Sequence, residues 1–337
     1  MTRMSAIVKL SPGKGAMRLT EVARPTPGPG QVVVEVYGAG LCGTDLHIMD
    51  GEWPTVPPVT LGHEVAGIVR HLGEGVDEAW RDSPVALESF FSTCEHCSSC
   101  LSGHRNLCPE RVSIGSHVNG GFASEVLVPV RNLHRLPDGM DLHHAALLEP
   151  LGSVANCLLD PPVINPGDSV LVTGPGTMGI LAAQIAQSSG AQVTLVGTAR
   201  DVQRLSIAES LGLATATDEN YSAGARPADV VIECSGHPLG AAFCLEHVGA
   251  RGAYVQVGVF GKPVTVPLDK VLMKELTITS GLAAPTAAWH RAIALVESGK
   301  VSLGPLVTEV AGLGDWERIY TATREGKGMK FVFDPHL

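Results

Sequence analysis

The pattern of apolar and polar positions divides the chain near residue 166. Before that point, short β-prone runs such as Val32–Val36 and Ala123–Val128 are separated by turn residues, most densely between Pro25 and Gly30. Short apolar runs bounded by proline and glycine are typical of strands joined by tight turns. The first part of the sequence therefore predicts a small, irregular, β-rich domain.

From about Pro166 the pattern alternates between short buried-strand runs and longer helical runs. The strand runs cover residues 169–173, 192–196, 229–233 and 253–257, and the helical runs cover 180–189, 201–211 and 239–248. Because strands that alternate with helices form a parallel sheet covered on both faces, this part predicts an α/β fold. A helical run at 290–298 and a strand at 330–333 either complete this domain or return to the first one.

Composition narrows the class of protein. The 45% hydrophobic content excludes a disordered chain, and 337 residues favour about two domains. With 24 basic and 34 acidic residues, the formal charge of −10 argues against nucleic acids and anionic membranes as partners. No apolar run approaches the ~20 residues that span a bilayer, and Lys9 ends the short apolar run near the N-terminus. We therefore expect a cytoplasmic protein.

Four of the eight cysteines fall within fifteen residues, in the spacing Cys94-x-x-Cys97-x-x-Cys100-x7-Cys108. In a chain without a disulfide-scaffold composition, such a cluster favours metal binding. Four thiolates fill the tetrahedral shell of zinc and leave no position for substrate, so the expected site is structural. The spacing is also compatible with an iron–sulfur cluster.

A glycine-rich loop follows the first strand of the α/β part. Gly174, Gly176 and Gly179 form a GxGxxG pattern that opens directly into a helix. These glycines permit a tight turn, close approach of a pyrophosphate and close packing of helix on strand. With Thr177 and Met178 at the helix N-terminus, the loop predicts a dinucleotide site.

The end of the second strand bears on the choice between NAD and NADP. An NAD-binding fold usually places an acid there for the ribose 2′-hydroxyl, but Gly197 occupies this end. Arg200 and Arg204 follow, and guanidinium groups suit a 2′-phosphate, which favours NADP. Alternatively, Asp201 supplies the acid after a local shift and the cofactor is NAD.

A second group of possible metal ligands lies outside the cysteine cluster. Cys42, His63, Glu64 and Glu149 combine sulfur, nitrogen and oxygen donors. This mixture suits a zinc ion that keeps one position for water or substrate. Each residue alone has an ordinary structural explanation, but together with a dinucleotide loop they predict a catalytic zinc.

These motifs resemble the zinc-dependent alcohol dehydrogenases of the medium-chain dehydrogenase/reductase superfamily, and Glu149 resembles the acid of the polyol and threonine dehydrogenase branch. The resemblance implies a GroES-like catalytic domain at 1–150 and 288–337, with a structural-zinc lobe at about 90–110. It implies a Rossmann domain at 151–287, an active site in the cleft between the domains, and homodimers or homotetramers. The motifs that carry the resemblance are Cys42-Gly-Thr-Asp, Gly62-His-Glu, the cysteine cluster, Gly120-Gly-Phe-Ala-Ser-Glu, Leu148-Glu-Pro and Gly174-Pro-Gly-Thr-Met-Gly.

The resemblance also implies roles for single residues. Cys42, His63 and Glu149 would hold the catalytic zinc, and Glu64 would be an alternating ligand or a neighbour. Thr44 and His47 would pass the hydroxyl proton to solvent, and Asp45 would support the zinc ligands. The implied cofactor-binding residues at the Rossmann strand ends are Ser235, Val257, Gly258, Gly281 and Leu282. The segment 151–157 departs from the Ala-Val-Ala-x-His run of the branch.

The implied reaction is hydride transfer between NAD(P) and a secondary alcohol of the polyol, sugar or cyclitol type. One alternative is a carbonyl reductase that uses the same residues mainly toward the alcohol. A more distant alternative is a non-catalytic dinucleotide-binding sensor, which would have no need of a complete set of zinc ligands.

Overall fold

The computed structural model describes residues 2–221 and 226–337. The contacts within the chain divide it into two compact units, one formed by Met1–Glu149 with Val307–Leu337 and the other by Pro150–Leu306.

The strands and helices follow the alternation expected from the sequence. The strands are β1 (Arg3–Lys9), β2 (Met17–Ala23), β3 (Gln31–Gly40), β4 (Val59–Thr60), β5 (Glu64–Leu72), β6 (Pro84–Leu87), β7 (Phe90–Ser92), β8 (Val112–Ser113), β9 (Glu125–Pro129), β10 (Leu133–Arg135), β11 (Ser169–Thr173), β12 (Gln192–Gly197), β13 (Ala214–Thr217), β14 (Ala228–Glu233), β15 (Val248–Gln256), β16 (Thr277–Ser280), β17 (Val307–Ala311) and β18 (Lys330–Phe333). The α-helices are α1 (Gly43–Asp50), α2 (Ser98–Leu101), α3 (Leu142–Ala145), α4 (Leu148–Leu159), α5 (Thr177–Ser188), α6 (Val202–Ser210), α7 (Asp218–Tyr221), α8 (Pro238–His247), α9 (Asp269–Met273), α10 (Thr286–Glu297) and α11 (Trp316–Arg324). Within residues 2–221 and 226–337, none of these helices has the length and apolar character needed to cross a membrane.

A seven-stranded sheet forms the main body of the first unit. Its strands follow the order β10-β6-β5-β3-β18-β17, and β9 pairs with β3. Val32, Val33 and Val34 of β3 are all fully buried, so both faces of this strand are covered. Two smaller sheets, β2-β1-β4 and β7-β8, belong to the same β-rich unit. This is the small β-rich domain that the sequence predicts.

A six-stranded parallel sheet forms the second unit, in the order β13-β12-β11-β14-β15-β16. The strand order reverses direction between β11 and β14. In open α/β sheets, ligands bind beyond the carboxyl ends of the strands at such a reversal. The α/β doubly wound fold predicted from the sequence is thus confirmed.

The chain returns to the first unit at Val307, later than residue 288, where the sequence predicts the boundary. Helix α10 and the segment after it belong to the second unit, which extends to Leu306. Trp289 of α10 is 1% exposed, and the Arg291 guanidinium donates a hydrogen bond to the Leu159 carbonyl of α4. The Ser302 N–H donates to Gln184 Oε1 of α5 at 2.8 Å. These contacts attach residues 288–306 to the parallel-sheet unit.

Candidate active site

Cys42, His63 and Glu64 bring three metal-ligating groups together in the first unit. Cys42 is the N-cap of α1, His63 immediately precedes β5, and Glu64 is the first residue of β5. The Cys42 Sγ, a ring nitrogen of His63 and a carboxylate oxygen of Glu64 lie within 4.8 Å of one another. This spacing and this mixture of donors fit a zinc ion.

Asp45 lies buried beside this cluster. One carboxylate oxygen accepts the Cys42 backbone N–H at 3.0 Å. The other, Oδ1, has no hydrogen-bond partner among the described residues and lies 4.0 Å from His63 Nδ1. A histidine that binds a metal through Nε2 usually donates its other N–H to a carboxylate. The orphaned oxygen of Asp45 therefore fits a His63 that binds metal.

Burial and neighbouring charges oppose each other at His63. Burial disfavours its protonated form, but the charge of the Cys42 thiolate and its hydrogen bond, followed by the charges of Asp45 and Glu149, raise the pKa of His63 well above its usual range. The concentration of anionic groups that favours a proton on this ring also favours a divalent cation. Metal binding would displace the proton, because metal ligands must be deprotonated.

Glu149, the second residue of α4, lies beside His63. Its side chain is buried, and burial raises the pKa of Glu149 to about 7, although the charge of His63 acts to lower it. The Ser89 hydroxyl donates a hydrogen bond to the Glu149 carboxylate. Glu149 is outside the set of three ligand atoms that lie within 4.8 Å of one another. Glu149 thus faces the predicted zinc ligands but lies outside the group of ligand atoms that are closest together.

Glu64 has a cationic partner that the sequence analysis missed. The ammonium group of Lys330, the first residue of β18, donates to the two carboxylate oxygens of Glu64 at 2.8 and 2.7 Å and to the Leu41 carbonyl at 3.0 Å. Both side chains are almost fully buried. Gly40 leaves room for the carboxylate, since a Cβ at this position would overlap Glu64. Only the lysine at the start of the last predicted strand could have indicated this ion pair.

Thr44 and His47 lie on α1, directly after Cys42. The Thr44 hydroxyl is 3.7 Å from the Cys42 Sγ. The His47 Nδ1 is 2.7 Å from a carboxylate oxygen of Glu52, and a third of the His47 side chain is exposed. Glu52, which the sequence analysis did not single out, holds the His47 ring at the surface of the first unit.

The four-cysteine loop gathers all of its sulfur atoms. The Cys97 N–H donates to the Cys94 Sγ at 3.3 Å, and the Cys100 N–H donates to the Cys97 Sγ at 3.5 Å. Backbone N–H groups, that of His96 first, lower the pKa of Cys94 to about 6. Thiolates so close together suit a single tetrahedral ion, because Zn–S bonds of about 2.3 Å place sulfurs near one another. The sulfurs that lie within 4.8 Å of one another are those of Cys94, Cys97, Cys100 and Cys108.

The glycine-rich loop of the second unit has the geometry that a pyrophosphate requires. Gly174 has a φ of +86°, and a Cβ there would lie 2.6 Å from the Cα of Ser235. A Cβ on Gly176 would meet no atom within 4 Å, so this N-cap of α5 faces open space. A Cβ on Gly179 would overlap the Gly174 carbonyl. Thr177 and Met178 lie in the first turn of α5, and the N-terminal end of a helix favours an anion.

The turn after β12 already uses the carboxylate of Asp201, the acid that the NAD alternative requires. The Thr198 N–H and hydroxyl both donate to Asp201 Oδ2 at 2.8 Å. Arg204 lies 3.9 Å from the other carboxylate oxygen of Asp201, and Arg200 is exposed. Gly197 is buried at the strand end, where a Cβ would lie 2.8 Å from Pro175.

The remaining predicted cofactor residues lie at strand ends of the second unit. The N–H groups of Val257 and Gly258 donate to the Glu233 carbonyl at 2.9 and 2.8 Å, and Ser235 lies against the glycine-rich loop. Gly281 and the exposed Leu282 follow β16.

The segment that departs from the pattern of the polyol branch contacts the loop after β16. The Asn156 Nδ2 donates to the Ala283 carbonyl at 2.9 Å. A Cβ on Gly281 would lie 2.8 Å from this Asn156 Nδ2, and a Cβ on Gly152 would lie 2.9 Å from the Ala284 Cβ. Asn156 thus positions residues 281–283, a role that the sequence analysis did not assign.

Comparison with known proteins places the whole chain in one family. The family described as alcohol dehydrogenase GroES-like domain matches residues 28–138, and that described as zinc-binding dehydrogenase matches residues 177–298. A sorbitol dehydrogenase of Halalkalibacterium halodurans is 36% identical over 98% of this chain and 99% of its own length. An L-threonine 3-dehydrogenase of Thermococcus kodakarensis is 31% identical over 99% of both chains.

A solved structure agrees with these matches. A zinc-binding dehydrogenase from Sinorhizobium meliloti 1021, bound to NADP, has a TM-score of 0.90 and 30% identity and covers 99% of this chain and 100% of its own. The protein therefore belongs to the zinc-dependent alcohol dehydrogenases of the medium-chain dehydrogenase/reductase superfamily, in the polyol and threonine dehydrogenase branch. It is an NAD(P)-dependent zinc dehydrogenase.

Replacing Lys330 by methionine is expected to lower the free energy of unfolding by about 3–5 kcal/mol, because the buried Glu64 carboxylate would lose its cationic partner. Urea unfolding measures the effect. The double variant Lys330→Met with Glu64→Gln removes both charges and should be more stable than the single variant. Equal stability of the single and double variants would contradict the importance of this ion pair.

Proposed function

We propose that this protein oxidises a secondary alcohol of the polyol, sugar or cyclitol type with NADP, using a zinc ion held by Cys42, His63 and Glu149. The observation that carries the proposal is the group of sulfur, imidazole and carboxylate donors in the first unit. The glycine-rich loop of the second unit supports the cofactor class.

The partners of the two glutamates favour Glu149 over Glu64 as the resting ligand. Lys330 occupies both oxygens of Glu64, so a metal bond to Glu64 would compete with a buried ion pair. Glu149 has a hydroxyl partner in Ser89 and faces His63. With Cys42 and His63, it would give zinc three protein ligands and leave a fourth position for substrate.

When bound, zinc supplies Lewis acidity to the substrate hydroxyl, and the nicotinamide ring accepts the hydride from the neighbouring carbon. The hydroxyl proton must leave in the same reaction. Thr44 Oγ1 beside Cys42 is placed to accept this proton and to release its own. His47, partly exposed and held by Glu52, can then exchange a proton with water, for which imidazole is suited near neutral pH.

The relative named sorbitol dehydrogenase supports a polyol substrate, and the relative named L-threonine 3-dehydrogenase supports a secondary alcohol more generally. A panel of polyols, sugars, cyclitols and other secondary alcohols, followed by absorbance of the reduced cofactor, tests it. Turnover of at least one polyol-type substrate is expected. The absence of turnover across the panel, with zinc-loaded and folded protein, would contradict the proposal.

Two zinc ions per chain are expected, roughly one in each ligand group. Cys42→Ala should remove about one ion and lower turnover by at least about 10³-fold, because the Lewis acid is lost. His47→Ala should keep both ions and lower turnover by about 10²-fold, the usual contribution of a proton-transfer group. Metal analysis beside steady-state kinetics measures both effects.

A third variant, Cys100→Ser, separates the two metal sites. It should lower the zinc content and the thermal stability through the four-cysteine loop. Full zinc content in Cys42→Ala would refute the proposed ligand set, and unchanged turnover in His47→Ala would refute the proton path.

The preference for NADP is supported by the turn after β12. Asp201 is already bonded to Thr198, whereas the neighbouring Arg200 is exposed at the end of the strand. An arginine there would bind a 2′-phosphate and would have no corresponding partner on NAD.

Replacing Arg200 by alanine is expected to raise the KM for NADP by about tenfold or more, because a charge-assisted hydrogen bond contributes about 1.5–3 kcal/mol. The KM for NAD should change by less than about twofold and serves as the internal control. Steady-state kinetics with both cofactors measures the two constants. A wild-type preference for NAD would overturn this assignment.

We further propose that two copies of the chain associate along β16. This strand ends the parallel sheet, and its polar edge groups are flanked by the exposed side chains of Ile278 and Leu282. Leu272 and Met273 of α9, just before the strand, are also about four-fifths exposed, at 79% and 80%. An exposed edge strand is a template for pairing, and a two-fold axis lets the same edge meet itself.

Replacing Ile278 by lysine is expected to reduce the oligomer to a smaller species, because a charge in the interface is costly to bury. Light scattering coupled to gel filtration measures the mass. Val56→Lys, at another exposed apolar position, is the matched control and should keep the wild-type mass. An Ile278→Lys variant of unchanged mass would exclude β16 as the interface.

The state of the cysteines supports a cytoplasmic location. All eight are free thiols. Five of them lie in the two metal-ligand groups, and the other three, Cys157, Cys234 and Cys244, are buried or half-buried in the second unit. Reduced thiols persist in the cytosol, where thiolates are available to zinc.

A further inference from the structure

Glu233 is a fully buried carboxylate at the carboxyl end of β14, and none of the roles described so far uses its side chain. β14 is one of the two strands between which the order of the parallel sheet reverses. Ser235, two residues farther along, lies against Gly174 of the glycine-rich loop. Glu233 therefore lies where a dinucleotide binds in folds of this class.

Four uncharged donors surround the Glu233 carboxylate. The Ser235 N–H, at 2.8 Å, and the Ser235 hydroxyl both donate to Oε1. The Gly236 N–H, at 3.2 Å, and the Gln256 amide, at 2.8 Å, donate to Oε2. All four contacts use the carboxylate oxygens as acceptors, which is the role of both oxygens in an ionised carboxylate. Among the described residues, these four donors are all neutral, so they satisfy the oxygens without supplying a positive charge.

The Glu233 carboxylate is tightly enclosed by the protein and shielded from water. A Cβ on Gly258 would lie 2.6 Å from Glu233 Oε2, so glycine is needed where the chain closes over the carboxylate. The neighbouring thiols add no second negative charge, because burial raises the pKa of Cys244 to about 12 and that of Cys234 well above its usual range. In such a site, a charge is screened less than it would be in water.

We propose that Glu233 is a positioning residue whose negative charge favours the oxidised over the reduced form of the bound cofactor. This inference rests on the proposed function, because it takes the crevice beside Gly174 as the nicotinamide dinucleotide site. The oxidised nicotinamide ring carries a positive charge, whereas the reduced ring is neutral. A buried negative charge at the strand-order reversal therefore stabilises the oxidised form alone, while the hydrogen bonds of Glu233 shape the crevice for both.

The affinities of the oxidised and reduced cofactor, measured without substrate, separate the two effects. In Glu233→Gln, the ratio of the Kd of the oxidised cofactor to that of the reduced one should rise about tenfold. This is the order that Coulomb's law gives for unit charges roughly 10 Å apart at an effective dielectric constant of about 20. Fluorescence titration and calorimetry of the zinc-loaded protein measure both constants.

Two substitutions of Gln256 form a matched pair. Gln256→Lys places an ammonium group against Glu233 and cancels its charge without removing the acceptor of Ser235 and Gly236. Gln256→Met removes the amide donor and leaves the charge. Both lose the acceptor of the Tyr254 hydroxyl, which now donates to Gln256 Oε1 at 2.6 Å. The Kd ratio should rise about tenfold in the lysine variant and stay within about twofold in the methionine variant.

The outcomes separate this inference from the proposed function. If the folded wild-type protein binds neither form of the cofactor, the proposed function fails. If it binds both, and the Kd ratio stays at the wild-type value in Glu233→Gln and Gln256→Lys, Glu233 has only a structural role and the inference is overturned. If Glu233→Gln does not fold, Gln256→Lys decides alone, because it retains the glutamate and its bonds to the Ser235–Gly236 turn.

Discussion

The net charge at each buried carboxylate of this protein depends on whether its hydrogen-bond donors are charged or neutral. Both candidate sites contain such a carboxylate. In the first unit, the positive charge of Lys330 on β18 pairs with the carboxylate of Glu64 on β5. In the second unit, four neutral donors hold Glu233 at the end of β14. The first arrangement cancels a charge and the second preserves one. This difference decides which carboxylate is available to act on a cation.

The same principle orders the metal-ligating groups. Cys42 and Glu149 bring potential negative charge close to His63, and the pKa of His63 rises in response. Asp45 adds a carboxylate oxygen that lacks a partner beside the His63 ring. A divalent cation would satisfy these groups together, which explains why a region so rich in acidic donors is compatible with a stable domain. In the four-cysteine loop, backbone N–H groups directed at sulfur stabilise the negative charge of the thiolates.

Much of the fold could be predicted because its signals are local. The strand at 169–173, the glycines after it and the alternation that follows depend on neighbouring residues, and the structure reproduces them within a few positions. The return point to the first unit could not be predicted, because it depends on Trp289 and Arg291 meeting α4. The roles of Lys330 and Asn156 were also missed, because each acts on residues more than a hundred positions away. The metal roles of the predicted ligands remain predictions, although the structure gathers most of these ligands.

The sequence by itself determined the fold class, the family, the types of ligand and the dinucleotide loop, since each is written in spacing and residue type along a short stretch of chain. Only the tertiary structure decided which of two glutamates is paired with a lysine, which acid after β12 is already bonded, and which carboxylate keeps an uncancelled charge. These properties depend on burial and on donors that distant strands supply. Sequence order does not encode them locally, because electrostatic partners are chosen by proximity in space.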